Sequence, residues 1–243
     1  MFKHQGKNRT SKHNLRLAIL LSFIAGIVNI TGVLAVKTLT TNVTGHFAFF
    51  AEEITKHDYQ EAIVFFIYTI FFLAGAFVSN FLTELVSEKK QNLSHLPAIA
   101  IEFFILITLG LFGNHSDFFL FGGKWIAFGL LFAMGMQNAL VTKISKSTVR
   151  TTHLTGLFTD LGIELSQLFF YKKTEELKAL KTSIYLRFSI ITFFFLGCFS
   201  GGFIYGYLAL KTLLIAASIL LIAFYYDYFL LNFIAIKRKK IPF

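Results

Sequence analysis

Six apolar runs dominate the chain, at residues 15–36, 61–85, 97–113, 124–142, 183–207 and 212–236. Most approach the roughly 20 residues that an α-helix needs to cross about 30 Å of hydrocarbon. Such runs leave little choice of fold, because a lipid-embedded backbone must satisfy its N–H and C=O groups within the segment itself. The composition agrees: 55% hydrophobic residues, 15% charged residues and a mean hydropathy of +0.65 belong to a polytopic membrane protein rather than a soluble domain. The expectation is all-α, a polytopic membrane bundle of six transmembrane helices.

The net charge of +10 does not point to nucleic acid, since the basic residues lie in the tails and connections and form no recognition face. Under six spans, residues 1–14, 86–96, 143–182 and 237–243 hold 17 Lys and Arg, and the other connections hold four, Lys37, Lys56, Lys124 and Lys211. Positive-inside bias then places both termini in the cytoplasm of a bacterial inner membrane. Residues 1–14 and 237–243 read as cytoplasmic basic tails. A cleaved signal peptide is the rival for the first run, but that run is longer than an h-region and lacks a small-x-small exit. One cysteine, Cys198, allows no disulfide within the chain and no thiolate cluster.

Between the spans lies a repeated break. Thr40-Thr41-Asn42-Val43-Thr44-Gly45-His46-Phe47 and Thr151-Thr152-His153-Leu154-Thr155-Gly156-Leu157-Phe158 align at an offset of 111 positions, and eight residues past each glycine stands a glutamate, Glu53 or Glu164. Upstream, Ala25-Gly26-Ile27-Val28-Asn29 faces Met134-Gly135-Met136-Gln137-Asn138 once two residues of loop difference are allowed. Bulk hydrophobicity explains helices but not matched threonines and glycines, so the pattern reads as an internal repeat. After each break comes a short apolar segment, 46–55 or 157–170, too short to span alone at 1.5 Å per residue. Three spans per unit make residues 15–113 and 124–236 two inverted repeats, each with a broken or re-entrant half-helix.

Gly135-Met136-Gln137-Asn138-Ala139, with Val149-Arg150-Thr151-Thr152 and Thr155-Gly156, resembles the second signature of the YoaK family of bacterial integral membrane proteins. That family's first signature centres on Thr-Gly-Asn; here Thr44-Gly45 is followed by His46. The resemblance implies a six-span membrane protein with a transport role and no established substrate.

If Thr44-Gly45 and Thr155-Gly156 open half-helices, inversion brings their N-termini together near the midplane, where free N–H groups favour an anion or the negative end of a polar solute. The substrate-binding set expected is Asn29, Thr41, Thr44, Gly45, Gln137, Asn138, Thr152, Thr155 and Gly156, with Glu53, Asp160 and Glu164 as coupling carboxylates. Ordinary surface N-caps explain the Thr-Gly pairs as well. An amphipathic surface helix explains the stripe Gly156, Asp160, Glu164 and Gln167, for which Arg150 is a possible partner. The amides equally serve as interhelical glue. His153, in the place of Asn42, is read as an amide-like hydrogen-bonding group. Glu102 reaches the interface or pairs with a cation, Asp227 lies deep enough to need a partner or else sits hydrated in an aromatic belt, and Gly75, Gly197, Gly201 and Gly202 serve close packing.

The function expected is a transporter or channel for a small polar or anionic solute, with the lipid bilayer as its other partner and homo-oligomerisation left open. An accessory or structural subunit is the alternative. An enzyme is not expected, because no His-Glu-x-x-His, Gly-x-Ser-x-Gly or Cys/His metal pattern is present, and no metal or other cofactor is called for.

Overall fold

The computed structural model describes residues 10–90, 93–113, 123–171 and 173–239, with the backbone alone at 89–90 and 226–239. Most of both basic tails, the connection at 114–122 and the Asp227 side chain therefore lie outside the described residues. In chain order the helices are α1 (Ser11–Val36), α2 (Val43–Thr55), α3 (Tyr59–Lys90), α4 (Leu96–Phe112), α5 (Lys124–Ile144), α6 (Leu154–Gln167), α7 (Thr174–Leu208) and α8 (Thr212–Lys239), with a 3-10 turn, Ala209–Lys211, before α8. The described residues contain no strand.

Four helical stretches are long and apolar enough to cross a membrane: Ser11–Val36, Tyr59–Glu88, Lys124–Ile144 and Thr174–Tyr225, the last interrupted by the 3-10 turn. Leu96–Phe112 is apolar but only 17 residues long. Ile63, Phe66, Ile70, Leu73, Phe77 and Phe81 expose an apolar stripe along α3, and Tyr185, Phe188, Phe195, Phe199 and Phe203 do so along α7. Water would not tolerate these stripes beside an equally apolar interior, whereas lipid tails accept them.

The core is organised by four copies of Phe-x-x-Gly that grip one another in pairs. A Cβ added at Gly26 of α1 would run into the Phe194 carbonyl oxygen of α7, and one added at Gly197 of α7 into that of Phe23 on α1. Gly75 of α3 and Phe132 of α5 meet in the same way, as do Gly135 and Phe72. Each glycine thus admits a neighbouring backbone carbonyl against its own Cα, the close approach on which helix association depends where lipid supplies no hydrophobic drive. The motifs at Gly26 and Gly135 stand 109 positions apart, those at Gly75 and Gly197 122 apart. Each grip therefore joins a helix from the first half of the chain to one from the second, two helices from each half. The close packing expected at Gly75, Gly197 and Gly201 is found, while Gly202 has more room.

Residue pairings fix the directions. Glu61 meets Lys124 and Glu84 meets Lys143, so α3 and α5 run parallel. Gly197 lies on Phe23 and Gly201 on Ile27, which makes α1 and α7 parallel too. By contrast Gln137 reaches Leu21 while Gly123 lies at Val36, so α1 and α5 are antiparallel. Gly110 faces Leu214 and Gly113 faces Leu210, so α4 and α8 are also antiparallel. We call the end of the bundle that holds Ser11 the near end and the end that holds Val36 the far end.

Several boundaries differ from expectation. Helix α1 begins at Ser11 rather than 15, and α7 at Thr174 rather than 183, with Glu175 and Glu176 in its first turn facing the positive end of the dipole. Thr44-Gly45 and Thr155-Gly156 lie inside the first turns of α2 and α6, and α6 stops at Gln167 rather than 170. The irregular segments are thus 37–42 and 145–153. Each carries a lysine in the left-handed region at its first or second position, Lys37 at φ 54° and Lys146 at φ 53°, again 109 positions apart. Ser147, also left-handed at φ 63°, falls where the second copy carries its two extra residues.

Gly135→Leu should lose at least about 1–3 kcal/mol of stability, since the carbonyl opposite belongs to a helix backbone that cannot yield. Gly162→Ala, where the added methyl meets nothing within 4 Å, should gain up to about 1 kcal/mol. Thermal unfolding of the purified variants checks both.

Candidate functional site

The first break folds back into the bundle and is latched there. At the end of α1 the N–H of Lys37 donates to Val33 O at 3.1 Å and that of Thr38 to Gly32 O at 3.3 Å, a Schellman-like stop that turns the chain inward. The amide oxygen of Asn29 then accepts from the Thr40 N–H at 3.1 Å and the Thr41 hydroxyl at 3.0 Å. Asn29 stands seven residues before the end of α1, about 10 Å along the axis. The thiol of Cys198 on α7 stands beside the same side chain. Asn42 caps α2 by accepting from the Gly45 N–H at 2.9 Å. His46, buried between Phe65 and Tyr68 of α3, joins its Nε2 to Leu39 O at 2.7 Å. Break, cap and short helix are fixed together.

The second break has the same parts without the latch. Asn138 occupies the place of Asn29, yet its buried Oδ1 has no partner among the described residues, and neither has the buried hydroxyl of Thr151, the counterpart of Thr40. Ala76, 122 positions before Cys198, offers no thiol. This loop is held instead by Ser145, whose hydroxyl accepts from the Val149 N–H at 2.9 Å. His153 does not take over the capping bond of Asn42: its side chain makes no cap hydrogen bond, although the ring covers Gly156. Beside the loop an open cleft of about 600 Å³ is lined by Ser11, Asn14, Thr148, Lys178, Thr182 and Leu186, among others.

The two breaks do not meet. The first packs against Gly32 and Asn29, towards the far end, and the second lies beside Ser11 and Leu15, at the near end. The expected tip-to-tip arrangement of half-helices is therefore replaced by two separate stations on the antiparallel pair α1 and α5. The reason is visible in α1 itself: the residues each break contacts are at least 14 positions, about 21 Å, apart. Of the expected binding residues, Asn29 and Thr41 are joined. Gln137 donates from Nε2 to Leu21 O at 2.8 Å and links α5 to α1. Thr152 is buried in the second break, whereas Thr44 and Thr155 are exposed on the first turns of their helices.

The carboxylates separate as well. Glu53 lies at the end of α2, 2.9 Å from Lys56, and the hydrogen bonds that this exposed ammonium donates, to Glu52 first and Glu53 second, keep it protonated above its ordinary range. Asp160 and Glu164 both turn to Arg187 of α7; the Asp160 bond measures 3.2 Å, and Glu164 and Ser183 share the guanidinium. Arg187, not the exposed Arg150, is their partner. The aligned positions differ here: Phe49 corresponds to Asp160 at the 111 offset and Phe65 to Arg187 at the 122 offset, and the Phe49 ring meets Phe65 at a tilt of 38° with centroids 5.3 Å apart. One contact between short and long helix is aromatic in the first unit and ionic in the second. A lone arginine four residues into an apolar run was the overlooked signal for this pair, and the His46 anchor was overlooked with it.

Helices of this length and apolarity, with lipid-compatible stripes outside and polar breaks inside, define a membrane-type helical protein. The chain belongs to the family whose model is described as "Protein of unknown function (DUF1275)", which matches residues 17–226. No curated protein and no solved structure matches it.

Arg187→Ala should destabilise the chain by about 1–3 kcal/mol, because Glu164, 13% exposed, is left with an unpaired charge. Converting the contact to the chemistry of the first unit, with Asp160→Phe, Glu164→Gln and Arg187→Phe together, should recover at least half of that loss. Thermal melts of the three proteins, parent, single and triple variant, in lipid nanodiscs measure it; equal melts for Arg187→Ala and the parent would mean that the pair contributes nothing.

Proposed function

We propose that the chain is a multi-pass transporter for a small polar or anionic solute, working by alternating access, with the two breaks as its gates. The spans are α1, α3, α4, α5, α7 and α8, in two inverted three-span units. At 13 and 14 residues, about 20 Å each, α2 and α6 are too short to cross and serve as half-helices. Supporting inversion, the equivalent helices α1 and α5 run antiparallel, as do α4 and α8, while the Phe-x-x-Gly grips exchange partners between units. The likeness of the second motif to the YoaK family is in keeping with this reading, which assigns the protein to transport rather than catalysis.

The observation that carries the proposal is the inequality of the two gates. Identical positions are latched at Asn29, Thr40 and Thr41 and unlatched at Asn138 and Thr151. An inverted-repeat transporter exchanges the conformations of its two halves as it changes face, so a closed gate at one end and a released one at the other is the expected resting pattern. With Lys and Arg concentrated at the near end, that end faces the cytoplasm of a bacterial inner membrane. The latched gate then closes the outside, and the cleft beside the second break opens inward.

Two cysteine pairs in a Cys198→Ser background test this. Asn29→Cys with Thr41→Cys should be bridged at once by a short bifunctional thiol reagent in lipid vesicles. Asn138→Cys with Thr152→Cys should be bridged slowly, as the molecule visits the outward-open state. No bridging of the second pair, with the first complete, would make the asymmetry static and end the alternating-access reading. A thermal-shift panel of inorganic anions and small polar metabolites identifies the solute: at a hundredfold excess over its dissociation constant a true ligand adds about 2.7 kcal/mol.

A further inference from the structure

Glu102 is the carboxylate that neither gate uses. It was expected to reach the interface or to pair with a cation, and it does neither: it is 1% exposed, and no described residue forms an ion pair or hydrogen bond with it. Helix register shows where it lies. On α4, Leu109 faces Gly129 of α5; the two helices run antiparallel, since α4 ends with Gly113 at Leu210, after α7 at the far end, and α5 begins with Gly123 at Val36 there, so Glu102 stands level with about residue 136. Gln137 is bonded there to Leu21 of α1, the neighbour of Ser22. The parallel pairing of Glu84 with Lys143 brings Ser79 of α3 to the level of Asn138.

Five buried polar atoms on four helices share this layer without a protein partner: Ser22 Oγ, Ser79 Oγ, Glu102 Oε1, Gln137 Oε1 and Asn138 Oδ1. Native interiors keep few such atoms, and each calls for a cause. The layer holds no positive charge among the described side chains. Helix α5 carries Lys124 and Lys143 at its ends, α3 carries Glu61, Tyr68 and Glu84 away from this level, and α8 has no strong acid or base from Thr212 to Tyr225. On α4 itself the nearest ionisable group is His95, seven residues and about 10 Å away. A carboxylate buried here without a counter-ion would be costly, whereas a carboxylic acid is neutral and has an O–H to donate.

We propose that Glu102 is an intramembrane proton-binding site, neutral while the bundle is closed around it and the group that couples proton movement to solute movement. The coupling role rests on the transport reading; the protonation does not. When an open gate admits water to the layer, the acid passes its proton to that water and leaves a carboxylate, and the reverse transfer restores it before closure. The carbonyl and hydroxyl oxygens around it supply acceptors for the acid proton and for a polar solute held at the same level.

Infrared spectroscopy of the full chain in lipid nanodiscs near neutral pH reads the proton directly. The parent should show a carboxylic-acid carbonyl band that shifts in deuterated water. Glu102→Gln should lose it with little change in melting temperature, since the amide replaces a neutral acid, and Glu84→Gln should keep it. If Glu102→Gln does not fold, Glu102→Asp should move the band. A parent without the band, or one stabilised by sodium over choline through Glu102, overturns the proposal by making the group an ionised carboxylate or a cation ligand. Because no transport is measured, this result stands apart from the fate of the gates.

Discussion

Close backbone contact between helices is the constraint on which the rest of the architecture depends. In lipid, burying leucine against leucine gains little over burying it against an acyl chain, so helices associate where their shapes permit dense packing. Gly26, Gly75, Gly135 and Gly197 supply that shape, each admitting the carbonyl of a phenylalanine from the opposing helix. Because α1 grips α7 and α5 grips α3, neither half of the chain can complete its own packing. The units are interlocked, and their relative orientation is set by the grips.

That interlocking explains where irregular backbone is tolerated. Residues 37–42 and 145–153 follow α1 and α5, the two helices that cross the centre in opposite directions. Each break folds back beside the helix it has just left. Its polar groups then meet protein rather than hydrocarbon, the condition under which non-helical chain survives at depth. In the first break Asn29 meets that condition with several hydrogen bonds, and Asn42 and His46 fasten the helix that follows. The second keeps the amide and the threonines but leaves Asn138 and Thr151 without partners. On the transport reading proposed above, these unequal states are the two ends of one element's travel.

The same duplication has been filled with different chemistry where the short helices lean on the long ones. Phe49 on Phe65 is an apolar contact that needs no proton or counter-ion. Asp160 and Glu164 on Arg187 form a charge cluster that loses its balance if any member is removed. The second hairpin is therefore the more sensitive to salt. Glu102 lies between the two stations, in a layer that belongs to neither unit alone, since Ser22, Ser79 and Glu102 come from the first and Gln137 and Asn138 from the second.

Sequence alone determined the all-helical, membrane-type character, because long apolar runs with charges confined between them have no other stable backbone solution. It also showed the recurring threonines and glycines at an offset of 111 positions, and Asn29 and Asn138 as aligned positions upstream of them. Tertiary structure decided the remainder. Whether two breaks converge depends on which helices grip, and the grips join residues more than 50 positions apart, beyond any local pattern. Arg187 became the partner of Asp160 because α6 folds back on α7, a matter of hairpin geometry and not of proximity in sequence. Burial at Glu102 was likewise invisible in a chain read span by span: a residue five positions into an apolar run faces headgroups, lipid or protein according to what its neighbours leave open, and only the packed bundle closes that choice.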